Sequence, residues 1–256
     1  MRESGQKVQD VLLDFTHTYA KGWIKAHGGL LYLDCSDIEG TDMYCTPEAE
    51  QELKKRLEPY PVTGIHFLDS GNYHYMSRLF LQKIHRPYQL VMFDNHTDMQ
   101  PTMIPELMSC GAWAMQVLKE EECLEKLFLI GPTQKSLEEI PVTELAGDRA
   151  EKLVCISRED SVYHKLSQLD PHIPVYFSVD KDVLSEEFAR TNWDQGQMTL
   201  SMLQEILLWI CDQNEVLGVD ICGELPQAPS WEEARVRQIN EATDEELYNF
   251  FKKVLT

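Results

Sequence analysis

Apolar residues along this chain gather in seven short runs: GLLYLD at 29–34, GIHFLD at 64–69, QLVMFD at 89–94, KLFLIG at 126–131, KLVCIS at 152–157, VYFSVD at 175–180 and VLGVDI at 216–221. The runs are near-continuous rather than alternating, the pattern of strands covered on both faces. Helix start signals lie between them: Thr46 before Pro47, and capping boxes at Ser201-x-x-Gln204, Ser230-x-x-Glu233 and Thr243-x-x-Glu246. Alternating strand and helix predicts an α/β fold, three α/β/α layers around a mostly parallel sheet joined by right-handed crossovers. No repeat, low-complexity tract or linker interrupts the alternation. The Pro/Glu-rich stretch at 132–143 reads as a surface excursion, so a single domain over 1–256 is expected.

Five runs close on an aspartate, at Asp34, Asp69, Asp94, Asp180 and Asp220. One such residue commonly caps a turn. Five at the carboxyl ends of parallel strands, where ligands sit, are expected to converge on one rim.

Charge narrows the partners. The 43 acidic and 23 basic residues give a formal charge of −20, which disfavours nucleic acid and anionic membranes. It suits metal ions or basic small molecules, and it also serves solubility. The seven cysteines form no Cys-x-x-Cys pair, consistent with a reducing compartment. MRESGQKVQD has no apolar run after its charges, and the longest later run, Ile206 to Cys211, is far too short to span a bilayer. A cytoplasmic location and no membrane partner are therefore expected.

The chemistry concentrates in Asp94-Asn95-His96-Thr97-Asp98, where alternate residues of an extended chain can point to one centre. Asp180-Lys181-Asp182 repeats the device, and Gly71-Asn72-Tyr73-His74 follows the run ending at Asp69. Neither acidic segment has the glycine of an EF-hand turn. Oxygen-rich ligation with two imidazoles favours hard divalent ions, manganese ahead of zinc. Asp94, Asp98, Asp180 and Asp182 carry four negative charges, which two divalent cations neutralise. Two such ions about 3.5–4 Å apart can share a water and turn it into a hydroxide nucleophile, which points to hydrolysis.

The ordered set His74, Asp94-x-His96-x-Asp98 and Asp180-x-Asp182, with the strand pattern over about 29–225, resembles the ureohydrolases: arginase, agmatinase, formiminoglutamase and their relatives. The resemblance implies an arginase-like fold and two manganese ions. One would be held by His74 and Asp98, the other by His96 and Asp182, with Asp94 and Asp180 bridging. It implies cleavage of a C–N bond in an arginine-, agmatine- or peptidyl-arginine-like guanidino compound, releasing urea, with a cationic small molecule or peptide as substrate. Asp98 would belong to the catalytic set. Self-association is expected by analogy with the family's trimers and hexamers.

The likeness is looser beyond the ligands. Cys110, in Ser109-Cys110-Gly111, stands where relatives place a proton-shuttling histidine, and it reads either as a tuned acid or as a small packing residue. Glu224, in Val219-Asp220-Ile221-Cys222-Gly223-Glu224, resembles the family's guanidinium-holding glutamate with one residue inserted, or is a surface acid. Asp160, in Ser157-Arg158-Glu159-Asp160, follows a strand as the amino-group readers do, or caps a helix. Trp193 and Asp194 could stack on and pair with a guanidinium, or form an exposed turn. Two other functions compete: a single-zinc deacetylase-like amidohydrolase, which leaves His74 and Asp98 without a task, and a non-catalytic metal-binding relative lacking the shuttle.

Overall fold

The computed structural model describes residues 8–101, 104, 107–226 and 230–255, so the outermost residues of the domain expected over 1–256 lie outside them. The main-sheet strands are β1 (Val11–Asp14), β2 (Leu31–Asp34), β4 (Ile65–Phe67), β5 (Tyr88–Phe93), β7 (Leu124–Ile130), β8 (Leu153–Ile156), β9 (Val175–Asp180) and β10 (Val216–Cys222). Two short strands, β3 (Tyr44–Cys45) and β6 (Met108–Ser109), pair separately and antiparallel. The eight strands run in the order β2-β1-β4-β10-β9-β5-β7-β8, all pairings parallel. All seven expected runs are strands. The eighth, β1, was not expected, although its run Val11–Asp14 is as long as β2 and β8; it directly follows a polar N-terminal stretch.

Helices α2 (Pro47–Leu57), α3 (Met76–Leu81), α4 (Trp113–Glu120) and α5 (Gln134–Glu138) cover one face. The other face is covered by α1 (Lys21–Ala26), α6 (Val162–Leu166), α7 (Leu200–Cys211) and α8 (Glu233–Leu255). Strand alternation explains the continuous apolar runs. In β5, Leu90 and Met92 enter the first core while Val91 and Phe93 enter the second. Each of these side chains is fully buried, worth about 1.5–3 kcal/mol apiece relative to exposure.

Thr46 caps α2 as expected, accepting from Ala49 N–H at 3.2 Å. The box at Ser201 is displaced, because Thr199 caps α7 by accepting from Met202 N–H. Helix α8 starts at Glu233, the end of the Ser230 box. Thr243 caps nothing: it lies inside α8, where its buried hydroxyl donates to the Phe188 carbonyl. Among the described residues no helix is long and apolar enough to cross a membrane.

The expected convergence of five aspartates holds for two. Asp94 and Asp180 leave neighbouring strands β5 and β9, one step beyond the Phe93–Val179 register pair. Asp220 lies inside β10 and turns to His66 Nδ1 (2.9 Å) and the Tyr176 hydroxyl (2.6 Å). Asp69 accepts from the N–H groups of Phe15 and Thr16 and anchors the exit of β1. Asp34 lies at the sheet edge, bonded to Ser36.

Candidate metal centre

Three turns at the carboxyl ends of the central strands build the centre. His74 ends a 3-10 turn (Gly71–Tyr73) that precedes α3, residues 94 to 98 follow β5, and Asp182 lies in the 3-10 turn Lys181–Val183 after β9. His74 Nδ1 lies 3.0 Å from Asp98 Oδ2, 3.2 Å from Asp94 Oδ2 and 3.6 Å from Asp180 Oδ2. His96 Nδ1 lies 2.7 Å from Asp182 Oδ2 and 3.6 Å from Asp94 Oδ1. Asp94 therefore divides its two oxygens between two imidazoles, each with a carboxylate of its own.

The groups around this cluster aim it. His74 Nε2 is bonded to Ser178 Oγ at 2.8 Å, which turns Nδ1 toward the carboxylates, and Nδ1 is buried with no hydrogen-bond partner. Trp113 Nε1 donates to Asp98 Oδ2 (2.7 Å), Asn95 N–H to Asp182 Oδ1 (2.9 Å) and Asp182 N–H to Asp180 Oδ1 (2.9 Å). Asp98 itself adopts a left-handed φ of 49°, and its carbonyl accepts from Ala114 N–H at the start of α4. Two glycines clear space for Asp180. A Cβ on Gly71 would lie 2.9 Å from Oδ2, and one on Gly223 (φ +99°) 2.6 Å from Oδ1.

Burial, then the neighbouring carboxylates, pushes Asp180 up to about 7 and Asp182 up to about 6. Burial works against an imidazolium at His96, but Asp182 and Asp94 outweigh it and push the ring up to about 11. Burial and mutual repulsion raise both carboxylates even beside the imidazoles, an electrostatic strain that bound cations would relieve. Ligand atoms lie within 4.8 Å of one another in three groups: His74 with Asp94 and Asp98, His96 with Asp94 and Asp182, and His74 with Asp180 and Cys222. All six expected ligands are thus brought together, and the donor set and the unpartnered Nδ1 fit a pair of divalent cations. Cys222 escaped the sequence reading, because only strand register places it opposite Asp180.

A cavity of about 210 Å³ opens over the centre, lined beyond the ligands by Asn95, Gln100, Cys110, Ser136, Glu139 and Trp193 among others. Cys110 is on its wall, and burial, then Asp98, pushes the thiol up to about 12. Trp193 is also there, edge-on to His96 at 5.6 Å, with Nε1 donating to Asn72 Oδ1. Ser136 and Glu139, from the stretch expected to be a surface excursion, are among the residues that line the cavity.

Three expected substrate contacts lie elsewhere. Asp194 is exposed and offers the site only its carbonyl, which accepts from Asn95 Nδ2. Asp160 closes its own turn, accepting from Ser157 N–H (2.8 Å) and Lys165 Nζ (2.7 Å). Glu224 is buried in a pair with Lys181 and accepts from Asn240 Nδ2, while Lys181 also donates to Asp244 at 2.6 Å. Glu224 lines a separate cavity of about 320 Å³, together with Tyr19, Trp23 and Asp244.

The profile of the Arginase family matches residues 34–236. An uncharacterized protein of Thermotoga maritima is 30% identical over 203 residues, covering 79% of this chain and 75% of that one. Similar solved structures include the Trypanosoma cruzi formiminoglutamase with Mn2+2 (TM-score 0.63, 11% identity, 97% of this chain and 92% of that one). Two others are arginase from Medicago truncatula (0.64, 13%, 95% and 87%) and proclavaminate amidino hydrolase from Streptomyces clavuligerus (0.61, 16%, 98% and 93%).

Proposed function

The chain belongs to the Arginase family, and from that premise we propose that it is a binuclear manganese hydrolase that cleaves a C–N bond of a guanidino or related amidino compound. The division of the Asp94 oxygens between His74 and His96 carries this reading, because it offers two cation positions sharing one carboxylate. His74 and Asp98 would hold one ion, His96 and Asp182 the other, with Asp94 and Asp180 between them. When bound, the two ions supply Lewis acidity at the scissile carbon and lower the pKa of the attacking water. The manganese of the formiminoglutamase with Mn2+2 supports that choice of metal, as does the oxygen-rich donor set.

The chain's own residues do the rest. Trp113 fixes Asp98 Oδ2, and Asp98 Oδ1 accepts the proton that water loses and returns it to the leaving nitrogen. Cys110, buried on the cavity wall, is assigned a packing role there. With Glu224 paired to Lys181, we assign the cationic group of the substrate to Glu139 and its polar end to Gln100, both among the residues that line the cavity. The single-zinc alternative leaves His74 and Asp98 idle, yet these residues lie 3.0 Å apart within the cluster.

The test is a urea- and ammonia-release screen of manganese-loaded protein over arginine, agmatine, guanidino acids, formimino compounds and arginine-containing peptides. Turnover of at least one compound, abolished by His96→Ala, is expected. No turnover of any by fully loaded protein would leave the non-catalytic relative as the better reading.

A further inference from the structure

Cys222 is 1% exposed, and its Sγ donates to Asp180 Oδ2 at 3.1 Å. It is the register partner of Asp180 on the adjoining parallel strand, so both side chains emerge on the same face of the sheet. The same Asp180 oxygen lies 3.6 Å from His74 Nδ1, an atom of a side chain only 1% exposed and without a hydrogen-bond partner. Sulfur, nitrogen and oxygen therefore face one point from three elements. Around one ion with bonds of about 2.0–2.3 Å, neighbouring donors lie roughly 3–3.6 Å apart. Sγ to Oδ2 at 3.1 Å and Oδ2 to Nδ1 at 3.6 Å are separations that one shared ion can span, and all three donor atoms lie within 4.8 Å of one another.

We propose that Cys222 is a further metal ligand, giving its sulfur to the cation held by His74 and Asp180, and that this half of the centre selects a thiophilic divalent ion such as zinc. The inference rests on the two-cation reading above and changes the expected metal in one position. On ligation the Sγ–H bond breaks, a metal–sulfur bond forms, and the proton leaves to solvent, one for each ion bound at this position. The half around His96, with one imidazole and only carboxylates, remains the harder site and keeps its preference for manganese. A mixed pair of metals follows from the asymmetry of the donors.

Cobalt(II) is the probe, because its visible d–d bands report occupancy and a near-ultraviolet charge-transfer band reports bonded thiolate. Metal-stripped full-length protein given two equivalents of cobalt should show both. Cys222→Ser and Cys222→Ala should keep the d–d bands and lose the charge-transfer band, whereas Cys110→Ser should retain it. In competition, the preference for zinc over manganese at one of the two positions should fall about 10- to 100-fold in the Cys222 variants. Two bound cobalt ions with no charge-transfer band in the unaltered protein would overturn the proposal while leaving the two-cation centre intact, and so would a band that survives loss of Cys222. Failure to bind cobalt at all would sink the centre and the ligand together.

Discussion

Asp94, His96 and Asp98 could be read as a ligand set because alternate residues of a strand exit share a direction, and the same logic found Asp180 and Asp182. What single residues do when they meet partners from distant segments was not legible in this way. Glu224 looked like a substrate-holding acid, but Lys181, placed between two ligands, reaches it first. Removing the charge of one member of a buried ion pair usually costs about 3–5 kcal/mol, and Asp244 stays on Lys181 to soften the loss. Glu224→Gln should therefore cost about 2–3 kcal/mol of stability, read by denaturant unfolding, with metal content unchanged and KM within about twofold of native. A KM rise of a hundredfold or more at native stability would return Glu224 to the substrate site.

At the level of elements, seven strands were visible because parallel strands buried on both faces are apolar throughout. β1, no shorter than β2 or β8, was masked by the polar stretch before it, and α8 absorbed a capping signal whose threonine is needed to hold the loop at Phe188. The loop after β10 depends on one backbone position. Gly223 has φ +99°, and a side chain there would lie 2.6 Å from Asp180 Oδ1 and 2.8 Å from Lys181 N. Gly223→Ala should cost about 1–3 kcal/mol in backbone strain and displace Asp180, loosening metal as well. Calorimetry and metal titration of that variant are the check, and native affinity in both would show that the loop yields without cost.

Across the whole molecule, strand order could not be read from the chain. The last strand, β10, inserts between β4 and β9 near the middle of the sheet, and that insertion delivers Cys222 and Gly223 to Asp180, more than forty residues away in sequence. The sheet also explains how a chain of formal charge −20 can bury so many acids in one place: their exposure is low, and the cluster is built to be neutralised by cations. In the proposed function one carboxylate, Asp94, serves two cation positions. The most direct measurement is metal per chain, by elemental analysis of dialysed protein, in the unaltered chain and in Asp94→Ala. Two divalent ions per chain, falling to none or to weakly held traces in the variant, is the expected result. One ion per chain in the unaltered protein, or two tightly held ions in Asp94→Ala, would contradict it.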